Sequence, residues 1–151
     1  MKKISLISAI LFVYNVNLSA EKYSLDWYLK GTVYESITFE DSSTYNLIKG
    51  EGPWEDNKGH FGNLNCIGKT SDINQNSVLD MICIAFDNDG DKFWLKLYRH
   101  SERDAGIGKA TYLNGTGKFK EYTNLECVYA VNYLNGVNQE VRTGFYKQKC
   151  K

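Results

Sequence analysis

The sequence predicts an all-β protein, a single antiparallel up-and-down β-barrel of about eight strands with two disulfides, and a β-sandwich is the alternative architecture. Three observations predict this fold class. Apolar and polar residues alternate in several segments, which is the period of a half-buried strand. The tetrapeptide Tyr-Leu-Asn-Gly occurs at 112–115 and again at 133–136, and Asn-Gly is the strongest short-range signal of a hairpin. The chain is also rich in β-branched and aromatic residues, which gives helices little support.

The first twenty residues predict a secretory signal peptide. They open with Lys2 and Lys3, continue through an apolar stretch and end at Ala20, which is the order of a cleaved leader. The stretch is too short for a membrane-spanning helix. Cleavage after Ala20 leaves 21–151 as a single β-barrel domain, so we expect a secreted or periplasmic protein with no membrane span.

The charge balance argues against two classes of partner. The whole chain has 18 basic and 18 acidic residues, and the leader removes two lysines and no acid, which leaves 16 against 18 and a net charge of −2. Nucleic acids and anionic membranes select strongly basic surfaces. We therefore expect neither as a partner.

The first predicted strand shows the alternation most clearly. From Tyr23 to Val33 the odd-numbered residues are apolar or glycine, and most of the even-numbered residues are polar. One face of this strand would therefore pack against a core. The full set of predicted strands is 22–34, 36–40, 43–49, 61–69, 78–86, 92–98, 107–113 with a return to 121, and a final hairpin over 125–149. An open sheet of this length leaves two exposed edges, and closure into a barrel removes them.

Strand counting then assigns the connections to the two ends of the barrel. Each Asn-Gly is interpreted as the tip of a hairpin, the first between about 108 and 121 and the second within 125–149. This count places four connections at the same end. They are the two Asn-Gly turns, the loop GPWEDNKGH at 52–60 and the stretch FDNDGDKF at 86–93.

The four cysteines predict two disulfides, because an even number in an exported chain without a CxxC pair is typical of a disulfide framework. Cys66 and Cys83 fall on adjacent predicted strands in near-opposite register, which favours pairing them. That choice pairs Cys127 with Cys150. If the second Asn-Gly forms a two-residue turn, Cys127 faces Gly144, and Cys150 lies six residues beyond it.

A family resemblance is carried by NGTGKFKEYTN at 114–124. This segment resembles the Gly-x-Gly-x-Phe hairpin of the allene oxide cyclase and dirigent-type barrels, and its neighbourhood resembles secreted bacterial proteins of that barrel type. Gly115, Thr116, Gly117, Lys118 and Phe119 match the family pattern. The resemblance implies an eight-stranded barrel whose interior receives a hydrophobic small molecule. No catalytic residue of those families matches a position here, so their activities are not implied.

The aspartates of FDNDGDKF have two interpretations. In the first, Asp and Asn close a turn through their own backbone and Gly90 adopts a positive φ. In the second, the barrel end brings together five carboxylates that a calcium ion would bridge, namely Glu55, Asp56, Asp87, Asp89 and Asp91. The glycine is fourth in the loop rather than sixth, and Tyr98 stands at the twelfth position, so the stretch is not an EF-hand. No other cofactor is predicted.

A ligand site is predicted inside the barrel, lined by Trp27, Phe93 and Leu95, with Arg99 at its mouth. Arg99 continues the inward series of its strand, and an arginine there could bind a carboxylate through two hydrogen bonds. No catalytic set is predicted. The charged loop that follows Arg99 places its residues consecutively, whereas catalytic groups converge from distant parts of a fold.

These features predict an exported, non-enzymatic binding protein that holds a small hydrophobic ligand in its barrel. The first alternative is an allene oxide cyclase-like isomerase or cyclase. The second is a secreted inhibitor or an envelope module, whose partner would be another envelope or extracellular protein. A fold alone does not choose among these functions.

Overall fold

The protein is a closed eight-stranded antiparallel barrel in a computed structural model that describes residues 22–101, 106–134 and 141–151. The strands follow one another around the barrel in chain order. They are β1 Ser24–Thr38, β2 Thr44–Asp56, β3 Phe61–Ile73, β4 Asn76–Asp87, β5 Lys92–Ser101, β6 Gly106–Gly115, β7 Glu126–Tyr133 and β8 Val141–Cys150. A 3-10 helix, η1, spans Gly117–Tyr122. The predicted leader and most of the charged loop after Arg99 lie outside the described residues.

Alternation along the strands fills the barrel interior, as predicted. Tyr23, just before β1, and the odd-numbered β1 residues from Leu25 to Leu29 are buried, and the other strands contribute their own inward series. The interior is mainly aromatic and aliphatic. Its largest side chains, all less than 2% exposed, are Trp27, Arg99, Tyr112, Tyr129, Phe93, Phe119, Leu25, Leu64, Leu95, Leu97, Gln148 and Cys83.

Both predicted disulfides are confirmed. Cys66 pairs with Cys83 across β3 and β4, and Cys127 pairs with Cys150 across β7 and β8. Each pair is directly opposite in its ladder, where antiparallel Cα atoms come closest. The predicted register of the second pair was wrong by six residues, because Gly144 faces Tyr133 rather than a cysteine.

Two strand predictions needed correction at the start of the chain. The segment 36–40 is not a separate strand, because β1 continues to Thr38. The strand predicted over 43–49 continues to Asp56 and passes through Pro53. Pro53 has a partner in β3 but none in β1, as expected for a residue that has no N–H to donate.

The first Asn-Gly is not a hairpin turn. Gly115 still pairs with Phe93 of β5, and Thr116 continues the contact through Lys92. The chain then forms η1 instead of the predicted return strand. Gly115 is required there because a Cβ atom would overlap the carbonyl oxygen of Phe119. Two-residue hairpin geometry occurs instead between β3 and β4, where the non-glycine residues of 74–75 both have positive φ.

The barrel has two unlike ends. The connections β2–β3, β4–β5 and β6–β7 share one end, which we call the plugged end, and the remaining connections share the other, which we call the mouth. The first Asn-Gly lies in the β6–β7 region at the plugged end, whereas β7 ends at Tyr133 and β8 begins at Val141 at the mouth, which contradicts the prediction that both Asn-Gly turns share an end. Asn135 and Gly136 themselves lie outside the described residues. No helix of the described residues is long and apolar enough to cross a membrane.

Candidate functional site at the barrel mouth

The plugged end is closed by η1. Phe119 is fully buried and lies edge-on to Phe93 at 5.0 Å and to Trp54 at 6.0 Å between ring centroids. Tyr122 stacks on Tyr23 at 4.5 Å. These aromatic contacts close the interior at the plugged end, so we do not expect a ligand to enter there.

Two hairpins at the plugged end share one turn design. DNKGH at 56–60 and DNDGD at 87–91 each begin with a buried aspartate and have glycine at the fourth position. Asp56 Oδ1 accepts the backbone N–H groups two and four residues ahead, both at 2.9 Å, and Asp87 Oδ1 does the same at 2.9 and 2.8 Å. Gly59 and Gly90 have φ values of 86° and 91°. This is a type I turn followed by a left-handed residue, which agrees with the turn interpretation of FDNDGDKF.

Lys118 provides the cation in this region. Its Nζ donates to Asp87 Oδ2 at 2.7 Å and to Asp89 Oδ2 at 2.6 Å. Burial alone would raise the pKa of Asp87, but the hydrogen bonds from Lys118 and from two backbone N–H groups outweigh it and lower that pKa. The same carboxylates raise the pKa of Lys118. Asp91 instead accepts from the Lys118 backbone N–H and the Thr116 hydroxyl, each at 3.3 Å.

The geometry does not support the calcium hypothesis. Asp56 is turned inward and holds His60, whose Nδ1 lies 2.8 Å from Asp56 Oδ2, whereas the adjacent Glu55 is exposed. Across the described ranges, no group of three or more His, Cys, Asp or Glu side chains is arranged to hold a metal ion. Asp56 and Asp87 instead accept hydrogen bonds within their own turns, Lys118 bridges Asp87 and Asp89, and Asp91 accepts from Thr116 and the Lys118 backbone.

The candidate site is a cavity at the mouth. It has a volume of about 180 Å³ and lies at the opposite end from η1. Its apolar floor is formed by Leu29, Ile48, Leu79 and Met81. Small apolar cavities of roughly 150 Å³ hold one benzene-sized molecule, so this space suits a compact ligand.

A polar rim surrounds the floor on the side of β2, β3 and β4. It contains Asn46, Thr70, Asp72 and Ser77. Asn46 is held in place by two hydroxyl contacts, since it accepts from Ser36 Oγ at 2.6 Å and donates to Thr70 Oγ1 at 3.3 Å. An apolar floor with a few oriented polar groups is the usual composition of a small-molecule site.

The opposite wall, on β7 and β8, contains Tyr133, Arg142 and Tyr146. Two guanidinium groups lie over the Tyr133 ring, with Arg99 Cζ 5.7 Å and Arg142 Cζ 5.8 Å from its centroid. Arg99 Nη1 also donates to the Tyr133 hydroxyl at 3.1 Å. Burial, followed by the charge of and the side-chain hydrogen bond with Tyr133, raises the pKa of Tyr146.

Glycine leaves the cavity open on the β1 side. Gly31 lies on the cavity wall and pairs with Arg142 of β8. A Cβ atom added to it would lie 3.5 Å from the Arg142 carbonyl oxygen, which is ordinary contact, and its φ is not in the left-handed region. The strand therefore tolerates a side chain at Gly31, and such a side chain would project into the cavity.

The residues predicted to bind a ligand have different positions. Trp27, Phe93 and Leu95 are fully buried in the packed interior, and none of the three lines the cavity. Trp27 stacks on the cavity residue Tyr146 at 4.3 Å. Arg99 is 1% exposed and is not itself a cavity-lining residue, but it donates to the hydroxyl of the lining residue Tyr133. The structure thus moves the candidate site from the centre of the barrel to its mouth.

Sequence reasoning missed Tyr133, Arg142 and Tyr146. A signal for the last two was present, because Cys150 must face inward to reach Cys127, and strand alternation then turns the even-numbered residues of β8 inward. Interpreting the Asn-Gly dipeptides as hairpin tips left the inward-facing residues of β8 unconsidered. The residues around each tip were treated as turns and not as cavity walls.

Comparisons with known proteins leave the function unassigned. No protein-family model and no curated protein matches the sequence. Among solved structures, the chain is similar to a conserved protein of unknown function from Rhodopseudomonas palustris, with a TM-score of 0.61 and 11% sequence identity. The match covers 85% of this chain and 95% of that one. At this identity the likeness shows the fold alone.

Proposed function

We propose that this protein is an exported, non-enzymatic binding protein that holds a small molecule in its mouth cavity. The observation that carries the proposal is the cavity itself, with an apolar floor, a polar rim and one plugged end. Two buried disulfides fit an oxidising compartment outside the cytoplasm. The resemblance to allene oxide cyclase and dirigent-type barrels stays a prediction and adds no catalytic residue.

The packed interior favours binding at the mouth over binding in the centre. An eight-stranded barrel is only just wide enough for side chains to fill it. Here rings such as Trp27, Tyr112 and Tyr129 fill that space, each with an exposed fraction of 1% or less. A ligand in the centre would have to displace several of these rings, whereas the mouth already has room.

One methionine makes the proposal directly testable. The chain has two methionines, Met1 in the predicted leader and Met81 on the cavity floor. The exported protein labelled with 13C-methyl methionine should therefore give a single methyl signal. We expect this signal to shift and saturate on titration with hexan-1-ol, a compact neutral probe.

A matched pair of variants distinguishes binding in the cavity from binding on the outer surface of β1. Gly31→Phe should fill the cavity and abolish the saturable shift, whereas Lys30→Phe adds the same ring on the adjacent, outward-facing position of β1 and should preserve it. Circular dichroism confirms that both variants are folded. An unchanged Met81 signal in the unmodified protein, or equal saturation in both variants, would rule out binding at the mouth.

A further inference from the structure

The chemical class of the ligand can be inferred from the wall on β7 and β8, and this inference rests on the proposed function. The polar side chains of that wall can all donate hydrogen bonds. Arg142 carries a positive charge and only donates hydrogen bonds, and Tyr133 and Tyr146 each have a hydroxyl that can donate. All three line the cavity. A ligand group placed against them is met by donors and by positive charge.

The buried side chains behind this wall also include hydrogen-bond donors. Arg99 is buried below Tyr133 and donates to its hydroxyl at 3.1 Å. The Tyr129 hydroxyl and Trp27 Nε1 are also buried donors, and neither has a hydrogen-bond partner among the described residues. Tyr129 and Trp27 pack around Tyr146, with ring centroids 5.9 and 4.3 Å from it. Gln148 Oε1 of β8 is a buried acceptor that also has no hydrogen-bond partner among the described residues. Because Tyr129 and Trp27 do not line the cavity, the preference for an acceptor-bearing ligand comes from Arg142, Tyr133 and Tyr146.

The opposite wall orients the ligand. Asp72 is the acidic residue among the cavity residues, and β3 lies three strands from β8 around the barrel. Lys49 of β2 also lines the cavity, but its Nζ lies 5.4 Å from the centroid of the exposed Tyr34 ring. The Asp72 charge would therefore repel an anionic group placed near β3 and favour the same group near Arg142. Between the two walls lie Leu79 and Met81, which can contact only an apolar part of a ligand.

We propose that the ligand is a small monocarboxylate with a compact apolar body. Its carboxylate binds on the wall formed by Arg142, Tyr133 and Tyr146, and its apolar body covers Leu79 and Met81. A cavity of about 180 Å³ admits a body of roughly benzene size. A planar carboxylate also suits the forked guanidinium of arginine.

Hexanoate and hexan-1-ol form the matched probe pair, because they share a six-carbon chain and differ in the charged head. The dissociation constant of each is measured at neutral pH from the Met81 methyl signal. We expect hexanoate to bind at least about tenfold more tightly, the usual gain from charge-assisted hydrogen bonds. Arg142→Gln should weaken hexanoate by roughly the same factor and leave hexan-1-ol unchanged.

A second cation on β8 supplies the control. Lys147 is exposed on the outer face of the strand, so Lys147→Gln removes the same charge without touching the cavity and should leave both dissociation constants unchanged. Equal affinities for the two probes, with no effect of Arg142→Gln, would overturn the monocarboxylate while keeping the mouth as a binding site. If neither probe moves the Met81 signal, the binding function fails as well.

Discussion

Removing the Phe119 ring should destabilise the barrel without opening its mouth. The side chain has 0% exposure and makes edge-on contacts with Phe93, Trp54 and His60 at centroid distances of 5.0 to 6.0 Å. Buried Phe→Ala substitutions cost about 3–5 kcal/mol. The six-residue η1 can relax toward the space that the ring leaves, so we expect Phe119→Ala to cost about 3 kcal/mol, the lower end of that range.

Urea unfolding followed by tryptophan fluorescence measures this cost. Trp54 lies 6.0 Å from the Phe119 ring and reports directly on the plugged end. A slope of about 2 kcal/mol per molar urea is typical of small domains, so the expected loss corresponds to a midpoint lower by about 1.5 M. The Met81 signal and its response to hexan-1-ol should be retained in the folded variant, because Met81 lies at the mouth.

Phe61→Ala is the matched control for this prediction. Phe61 begins β3 at the same end of the barrel, but it is 56% exposed. Surface substitutions usually change stability by less than about 0.5 kcal/mol. A loss below about 1 kcal/mol for Phe119→Ala, or equal losses for the two variants, would refute η1 as a plug.

Two further perturbations test the ion pair and the disulfides. The lowered pKa of Asp87 contributes stability that is present above the unfolded-state pKa and is lost as pH falls through the folded-state value. Lys118→Met should therefore cost more at pH 7 than at pH 3 in urea unfolding, and an equal cost at both would contradict the pairing with Lys118. Replacing both Cys66 and Cys83 with alanine opens a loop of sequence separation 17 and should cost about 3 kcal/mol. An unchanged midpoint under non-reducing conditions would argue against that bridge.

The fold was predictable because its signals are local and repeated. Alternation and turn signals located part of each of the eight strands, although 36–40 belongs to β1 and the predicted return to 121 is η1. The even number of cysteines in a chain predicted to be exported indicated both bridges. The near-opposite register of Cys66 and Cys83 on adjacent predicted strands favoured their pairing, whereas the register predicted for Cys127 and Cys150 was wrong by six residues. These signals need only a period of two and short-range geometry.

The turns were harder to predict, because the same dipeptide occurs in more than one backbone conformation. Asn114-Gly115 has the composition of a type I′ turn, but its glycine is needed where η1 approaches the strand too closely for a Cβ atom. The hairpin that does have two positive φ values uses Asn74 and Gln75, of which only asparagine readily adopts that conformation. Tertiary contact, which the sequence does not display, decided both cases.

The site was missed for a related reason. Inward-facing residues such as Trp27 and Phe93 are natural candidates for a ligand pocket, but the same residues can fill the barrel completely. Which outcome occurs depends on side-chain volumes summed around the whole circumference, a quantity that no single strand reveals. Side chains fill the barrel interior up to the mouth, where the cavity begins next to Gly31.

The two ends of the barrel differ in the space that they leave for a ligand. At the plugged end, η1 inserts Phe119, and the buried carboxylates of Asp56 and Asp87 are satisfied by their own turns and by His60 and Lys118. At the mouth, by contrast, polar side chains line the cavity. Among them, Arg142, Tyr133 and Tyr146 line the cavity and can donate hydrogen bonds to a molecule held there, which is why the proposed ligand carries an acceptor.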